Sequence, residues 1–167
     1  MNLKSAEQWI RELQLEPHPE GGYFKQTDLS DQTYTNTKEG RPLPLYTNIY
    51  FLLTAANPSH FHRLISDELW FYHAGQPLTV HALTPEGSYQ ETTLSLETHE
   101  DHRLHHTVPA GTIFGSTVAE GYALVSCTVV PGFDFADFQL FTKNELLKKH
   151  PEHESIINKL AYDALPE

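Results

Sequence analysis

The sequence predicts an all-β fold, an antiparallel barrel or sandwich with helices at both ends, and three observations support this prediction. Apolar and β-branched runs recur from about residue 22 to residue 141, among them LYTNIYFLL, ELWFYHAG, LTVHAL and YALVSCTVV. Turn-forming segments such as Asn57-Pro58 and Pro131-Gly132 separate these runs. No helical pattern of about 10–15 residues lies between them, which argues against alternating strands and helices.

A helix is predicted ahead of the first strand. Ser5, followed three residues later by Gln8, has the pattern of a capping box. The apolar residues that follow have helical spacing: Ala6, Trp9, Ile10 and Leu13. Pro17 and Pro19 end this helix, and the segment HPEGGYF is then expected to turn into an extended stretch.

Helices are predicted again at the C-terminus. Thr142 and Glu145 form a second capping-box pattern before Leu146, and Pro151 is suited to open a last helical turn. No repeat or linker divides the chain. We therefore expect a single domain over residues 1–167, with the barrel at about 22–141 and a helical tail at 142–167.

Composition and charge limit the partners of this protein. The 167 residues include 11 Lys and Arg and 22 Asp and Glu, giving a formal net charge of −11, and no basic stripe is present. Nucleic acid and anionic membranes are therefore not expected as partners. The chain has no apolar stretch long enough to span a membrane and no signal core, which predicts a cytoplasmic protein. The single cysteine, Cys127, lies in an apolar run and is expected to be a buried small hydrophobe.

The segment from residue 59 to residue 75 carries the chemistry. Alternation along a strand predicts that His60 and His62 share one face, and that Glu68, Trp70 and Tyr72 share a face of the next strand. A short turn between the strands would bring imidazoles and a carboxylate together inside a barrel. Such a group is suited to a divalent metal ion, or to proton transfer without one.

These residues resemble the two motifs of the cupin superfamily. His-x-His, the following glutamate, the glycine at Gly75 and the downstream Pro109-Ala110-Gly111 carry that resemblance. Three further stretches resemble one small single-domain cupin family of largely unknown function. They are HPEGGYF, FHR with SDELW, and VPGFDF, and together they cover nearly the whole chain.

The resemblance implies a double-stranded β-helix, the cupin jelly-roll barrel, with a small-molecule pocket inside it and usually a homodimer. Two departures argue against a metal site with four ligands. More residues separate His62 from Glu68 than in metal-binding cupins, and Phe114 stands where those proteins have a further histidine. No cofactor is therefore predicted, with a divalent ion (Fe, Mn, Ni or Zn) held by His60, His62 and Glu68 as the alternative.

The Phe61-His62-Arg63 segment is also similar to a strand of cupin-fold epimerases that act on nucleotide-linked deoxysugars. That similarity implies a metal-independent epimerase or isomerase with His62 as base and a tyrosine as acid. Tyr72 is the predicted acid and Glu68 an orienting group, and no motif fixes the choice of tyrosine. The predicted ligand-binding residues are Tyr23, Lys25, Tyr50, His60, Arg63, Trp70 and Phe114.

Three functions remain open from the sequence: a metal-independent isomerase of a carbohydrate-like molecule, a metal-dependent oxygenase or isomerase, and a binding protein without catalysis. Other histidines are assigned no catalytic role. His73 and His81 are expected to face outward or across a dimer. The histidine-rich segment from His99 to His106 is expected to be a solvated loop, because it is charged and lies between strands.

Overall fold

The computed structural model describes residues 4–35, 40–98 and 101–166, and its β-strands cover most of the predicted barrel region. Most of the longer strands follow apolar runs in the sequence, and the strand Asp67–Gly75 alternates between buried and more exposed side chains. The strands are β1 (Glu16–Pro17), β2 (Tyr23–Leu29), β3 (Thr33–Thr35), β4 (Pro42–Pro44), β5 (Thr47–Thr54), β6 (Ser59–Arg63), β7 (Asp67–Gly75), β8 (Leu78–Leu83), β9 (Tyr89–Leu94), β10 (His102–Arg103), β11 (His105–Val108), β12 (Ile113–Val118), β13 (Tyr122–Val130) and β14 (Gln139–Leu140). The all-β prediction is confirmed.

Two large sheets face each other. One has the strand order β1-β2-β5-β13-β7-β11, the other has the order β10-β9-β8-β12-β6-β14, and β3 pairs with β4 in a separate small sheet. Neighbouring strands in the two large sheets are antiparallel, except for the pairing of β9 with β10. The long crossovers between β5, β7 and β13 put residues distant in sequence side by side.

The space between the sheets is filled by large apolar side chains. Trp70, Phe51 and Phe114 are almost fully buried there, with ring centroids 5.8 Å apart for Phe51 and Trp70 and 6.3 Å apart for Trp70 and Phe114. Cys127 is buried in the same cluster and has no disulfide partner, as predicted. This packing fills one part of the barrel and leaves a cavity at another.

The N-terminal helix α1 (Ala6–Leu13) begins with the predicted capping box, in which Ser5 accepts from the backbone N–H of Gln8 and the Gln8 side chain accepts from that of Ser5. Its apolar face packs on the outer side of the first sheet, against Leu52 and Leu124. Trp9 Nε1 donates to the Tyr122 hydroxyl at 3.1 Å. The helix therefore covers the outside of the barrel.

The C-terminal helices α2 (Lys143–Lys149) and α3 (Glu154–Leu160) cover the second sheet. The predicted capping box at Thr142 and Glu145 is present. Apolar residues of both helices, Leu146 and Leu160 among them, pack on the outer side chains of the sheet. Just beyond α3, the Tyr162 hydroxyl donates to the Pro19 carbonyl at 3.0 Å, so the last residues brace the turn near the start of the chain.

The structure refines two expectations about histidines. His81 does lie on the outer side of the second sheet, but it is only 5% exposed, because the C-terminal helices pack over that side. The histidine-rich segment is not simply a loop, because His102 belongs to β10 and His105 to β11. His99 itself lies outside the described residues. No helix in the described ranges has the length and apolar character needed to cross a membrane.

Candidate functional site

A cavity of about 80 Å³ opens at the end of the barrel where β2, β5, β7 and β13 meet β6 and the 133–138 segment. Its walls are mainly apolar, and five ionisable side chains also line it. The phenylalanines that line it are Phe24, Phe51, Phe133, Phe135 and Phe138. The ionisable side chains that line it are His18, Glu20, His62, Glu68 and Cys127.

A tight turn brings Glu20 into this cavity. The His18 N–H donates to the Gly22 carbonyl at 3.0 Å, and the Gly21 N–H donates to the His18 carbonyl at 2.9 Å. Gly21 has a φ of +106°, and a Cβ there would lie 2.0 Å from the Pro58 carbonyl oxygen. Glycine is therefore required, both for the left-handed backbone and for the close approach of the turn to β6.

Glu20 is the centre of a buried polar network. Its Oε1 accepts a hydrogen bond from the Ser59 hydroxyl at 2.7 Å, and its Oε2 lies 3.4 Å from His62 Nε2 and 3.5 Å from His18 Nδ1. Burial raises the pKa of the Glu20 carboxyl, and the nearby His18 opposes that rise. The network thus joins a carboxyl group, a hydroxyl and two imidazoles at one point.

His62 is fixed in one orientation on β6. Its Nδ1 lies 2.8 Å from the His60 carbonyl oxygen, which is only an acceptor, so Nδ1 carries the proton and Nε2 is free to accept one. Burial lowers the pKa of His62 to about 4. The imidazole is therefore neutral at physiological pH, with its lone pair on the side of Glu20.

His18 sits among aromatic rings. Its ring centroid is 4.7 Å from that of Phe24 and 5.7 Å from that of Phe138, in edge-on contacts. The Glu20 N–H donates to His18 Nδ1 at 3.2 Å, which leaves the proton of the neutral ring on Nε2. Burial lowers the pKa of His18, so this histidine too is held neutral.

Glu68 projects into the cavity from β7. Burial, and secondly the repulsion from Glu20, raises the pKa of Glu68 to about 8, so its carboxyl is largely protonated at neutral pH. Trp70 and Cys127 lie close enough to oppose that rise, but the Trp70 indole N–H lies outside hydrogen-bonding geometry. Glu68 Oε2 and Trp70 Nε1 are both buried without a hydrogen-bond partner among the described residues.

The predicted face of β7 is present, but only one of its polar groups reaches the cavity. Glu68, Trp70 and Tyr72 alternate as buried residues along the strand. The Tyr72 hydroxyl donates instead to the Gln76 carbonyl at 3.1 Å, and burial raises the pKa of Tyr72 to about 12. Trp70 is core. Phe114 is also core, with its ring 4.2 Å from that of His62, which it supports from the opposite strand.

Other predicted ligand-binding residues lie outside the cavity. Phe24 and Gln26 line it, so the neighbouring Tyr23 and Lys25 project from the other face of β2. Tyr23 and Tyr50 pack with the N-terminal helix on the outside of the sheet. Arg63 donates to Gln139 Oε1 at 2.6 Å on the outer side of the second sheet, away from Glu68.

His60 does not share the inward face of His62. Strands β6 and β12 pair His62 with Phe114 and Ser59 with Ser116. Between these two pairs β12 has one residue, whereas β6 has two. This β-bulge breaks the alternation, as an extra residue in one strand does. His60 stacks on Tyr162 with ring centroids 3.8 Å apart, and its Nδ1 lies 2.7 Å from the Glu20 carbonyl oxygen.

The predicted metal ligands therefore do not converge. His62 and Glu68 line the cavity but His60 is turned away, and Phe114 holds the place of a further histidine. Within the described ranges, no three His, Cys, Asp or Glu side chains have an arrangement that could hold a metal ion. The described residues therefore do not fit the metal site that the fold class implies.

Sequence reasoning missed His18 and Glu20. The HPEGGYF segment drew attention, but the residues selected from it were Tyr23 and Lys25. The available signal was Gly21-Gly22 directly after Glu20, because two consecutive glycines allow the chain to approach another strand closely. A polar residue next to such an approach is carried into contact with that strand.

Two facing antiparallel sheets with a cavity between them at one end define this protein as a cupin-fold barrel. The chain belongs to the Cupin_5 family, described as cupin superfamily (DUF985), whose model matches residues 7–141. It is also 32% identical to the uncharacterized protein YML079W of Saccharomyces cerevisiae over 161 residues, covering 87% of this chain and 79% of the yeast protein. The resemblance stated from the motifs is confirmed.

Solved structures agree with this assignment. A hypothetical protein from Leishmania major superposes with a TM-score of 0.91 at 44% identity, covering 96% of this chain and 100% of its own. Protein SO0799 from Shewanella oneidensis gives 0.90 at 39% identity, covering 97% and 100%. An oxalate decarboxylase from Lactobacillus farciminis gives 0.54 at 13% identity, covering 92% of this chain and 45% of its own, and shares the fold alone.

Proposed function

We propose that this protein is a metal-independent acid–base enzyme that isomerises or epimerises a small carbohydrate-like molecule. The observation that carries the proposal is the contact between His62 Nε2 and Glu20 Oε2, 3.4 Å apart, in a cavity that also contains the Glu68 carboxyl. General acid–base catalysis requires a proton acceptor and a proton donor beside the same substrate.

His62 is the base in this proposal. Its Nδ1–H is held by the His60 carbonyl, so the basic Nε2 is the atom available to remove a proton from carbon. Glu20 lies beside that nitrogen and would stabilise the imidazolium that forms, as a carboxylate does in other histidine-based sites. The Ser59 hydroxyl in turn fixes the Glu20 carboxyl.

Glu68 is the acid, in place of Tyr72. A carboxyl whose pKa is raised to about 8 carries a proton at neutral pH and is a much stronger acid than a tyrosine whose pKa is raised to about 12. As His62 removes the proton α to a carbonyl group, Glu68 would give its proton to the carbonyl oxygen and form an enediol. Reversal of both transfers at the neighbouring carbon, or on the other face, yields the isomer or epimer.

The test is exchange of substrate protons with solvent. Protein dialysed against EDTA would be incubated in D2O with hydroxyacetone, dihydroxyacetone and a panel of free aldoses and ketoses, and the α-proton signal followed by NMR. We expect deuterium incorporation, with rates lowered by roughly 10²–10⁴-fold in His62→Gln and Glu68→Gln. His105→Gln, an exposed histidine of β11, is the matched control and should keep the wild-type rate.

Two results would contradict the proposal. If deuterium exchange continued at the wild-type rate in both His62→Gln and Glu68→Gln, these residues would not be the base and the acid. Absence of exchange for every molecule in the panel would favour the third function left open by the sequence, a binding protein without catalysis.

A further inference from the structure

The described cavity lining has carboxyl groups but no cationic side chain. Two carboxyl groups, Glu20 and Glu68, line it, whereas no lysine or arginine does among the residues that the structure describes. The basic side chains in the neighbourhood are directed elsewhere. Arg41 is paired with Asp134 and Asp137, and Lys25 projects from the opposite face of β2.

This lining penalises anionic ligands. Moving a carboxylate or phosphate from water into a buried site is costly unless a cation or several donors compensate for the lost hydration. Here the ligand would instead meet two neutral imidazoles, the largely protonated Glu68 and the Glu20 carboxyl, and none of these groups supplies a positive charge. The cation clusters that usually hold nucleoside diphosphates are absent from the described lining.

One carboxyl group that lines the cavity has a polar atom without a partner. Glu68 is 6% exposed, and its Oε2 is fully buried with no hydrogen-bond partner among the described residues. An unsatisfied buried polar group costs about 1–3 kcal/mol, and a rotation of the carboxyl group toward a complementary ligand group in the cavity would relieve that cost. Because the raised pKa of Glu68 keeps it largely protonated at neutral pH, the complementary group is an acceptor such as a carbonyl oxygen.

Size limits the ligand further. An engineered protein cavity of about 150 Å³ holds benzene, so about 80 Å³ accommodates on the order of three or four non-hydrogen atoms. The remainder of a larger molecule would extend past the mouth, where Gln26 is exposed and Phe135 is 56% exposed. The enclosed part is therefore a short fragment with at least one acceptor oxygen.

We infer that this cavity selects uncharged ligands, and that the group it encloses is a short α-hydroxy ketone or α-hydroxy aldehyde, not a carboxylate or phosphate. The uncharged character follows from the lining, whereas the α-hydroxy carbonyl group rests on the proposed function. The nucleotide-linked sugars suggested by the epimerase resemblance are thereby disfavoured as substrates, since their diphosphate finds no cation here.

Hydroxyacetone and pyruvate form a matched pair for the test, because they share a methyl ketone and differ in a neutral hydroxymethyl against a carboxylate. Binding of each would be measured by saturation-transfer NMR in competition at pH 7. We expect pyruvate to bind at least about tenfold more weakly. Glu68→Gln should keep the preference for hydroxyacetone, since an amide still donates to its oxygen, and Glu120→Gln, in an exposed turn, is the control.

A variant that should bind pyruvate more tightly provides a second test. Gln26→Lys adds a cation at the cavity mouth and should raise pyruvate affinity without raising hydroxyacetone affinity. Equal or tighter binding of pyruvate to the wild-type protein would overturn the inference, and so would absence of hydroxyacetone binding. Binding of hydroxyacetone without deuterium exchange would contradict the proposed function but not the preference for uncharged ligands. Faster exchange of pyruvate protons than of hydroxyacetone protons would contradict that preference but not the proposed function.

Discussion

Two buried histidines, His62 and His81, differ in what surrounds their ring nitrogens. Burial lowers the pKa of both to about 4. His81 uses both ring nitrogens, with the Tyr89 hydroxyl 2.7 Å from Nδ1 and the Thr117 hydroxyl 2.8 Å from Nε2, and the exposed Glu91 carboxylate also lies 3.4 Å from Nδ1. His62 bonds a carbonyl through Nδ1 but turns Nε2, which has no hydroxyl partner among the described residues, toward the buried Glu20 carboxyl and a cavity.

This difference separates a structural histidine from a chemical one. A buried ring with both nitrogens paired to hydroxyls has no spare bonding capacity, so it contributes to stability and specifies the packing. A buried ring with one nitrogen beside a carboxyl group and an open space retains a function for that nitrogen. Burial and a lowered pKa, which the two histidines share, do not distinguish them.

The largest expected effect comes from a substitution that disturbs the His62 site and leaves the His81 site unchanged. Gly21→Ala places a Cβ 2.0 Å from the Pro58 carbonyl oxygen at a φ of +106°, which forces Glu20 away from His62. We expect a loss of more than about 3 kcal/mol in unfolding free energy, measured by urea denaturation. Gly111→Ala is the matched control, with a φ of +82° and no atom within 4 Å of the added Cβ.

The control should lose only about 1 kcal/mol, the cost of the left-handed backbone alone. Equal losses in the two variants would mean that the approach of the turn to β6 does not hold Glu20 in place. In a Gly21→Ala protein that remains folded, ligand binding should be lost.

An intermediate effect on unfolding free energy is expected from a substitution of His81. His81→Leu leaves the Tyr89 and Thr117 hydroxyls without their ring partner and should cost about 1–3 kcal/mol of unfolding free energy. His105→Leu, on the exposed side of β11, should change it by less than about 0.5 kcal/mol. Deuterium exchange should be unchanged in His81→Leu, and its loss would mean that the two sites are coupled.

The smallest expected effect is on pH dependence, and the two sites should differ in sign. His81 has a pKa of about 4 in the folded protein against 6.5, so its contribution to stability is present above pH 6.5 and is lost as pH falls toward 4. Glu68 has a pKa of about 8 against 4.5, so its contribution is present below pH 4.5 and is lost as pH rises through 8.

Urea denaturation across pH 4–9 measures both contributions. His81→Leu should flatten the acid side of the stability curve, and Glu68→Gln should flatten the alkaline side. Since His62 and His18 also have lowered pKa values, the acid side should flatten only partly in the His81 variant. A Glu68→Gln curve that still falls between pH 5 and 8 as steeply as the wild type would contradict the raised pKa of Glu68.

The fold was predictable because its signals are local. Strand alternation, turn residues and the two capping boxes each depend on residues a few positions apart, and Ser5 with Gln8 and Thr142 with Glu145 form as expected. His62 and Glu68 were also found this way.

The remainder of the site depends on geometry that alternation does not encode. A bulge in β6 turns His60 outward, and a double-glycine turn carries Glu20 inward. Tyr72 shares the inward face of Glu68, as predicted, but its position along β7 gives its hydroxyl the Gln76 carbonyl as partner. Which side chains meet across the barrel is set by long-range packing, which single-sequence patterns do not contain.

The bracing of the Pro19 carbonyl by Tyr162 joins two segments that lie 143 positions apart in the sequence. The turn that supplies Glu20 to the cavity is therefore held from outside by the segment that follows α3. Local unfolding of that segment would loosen the Glu20 turn while the paired strands of the barrel stay in place, because segments of a folded protein open with different free energies.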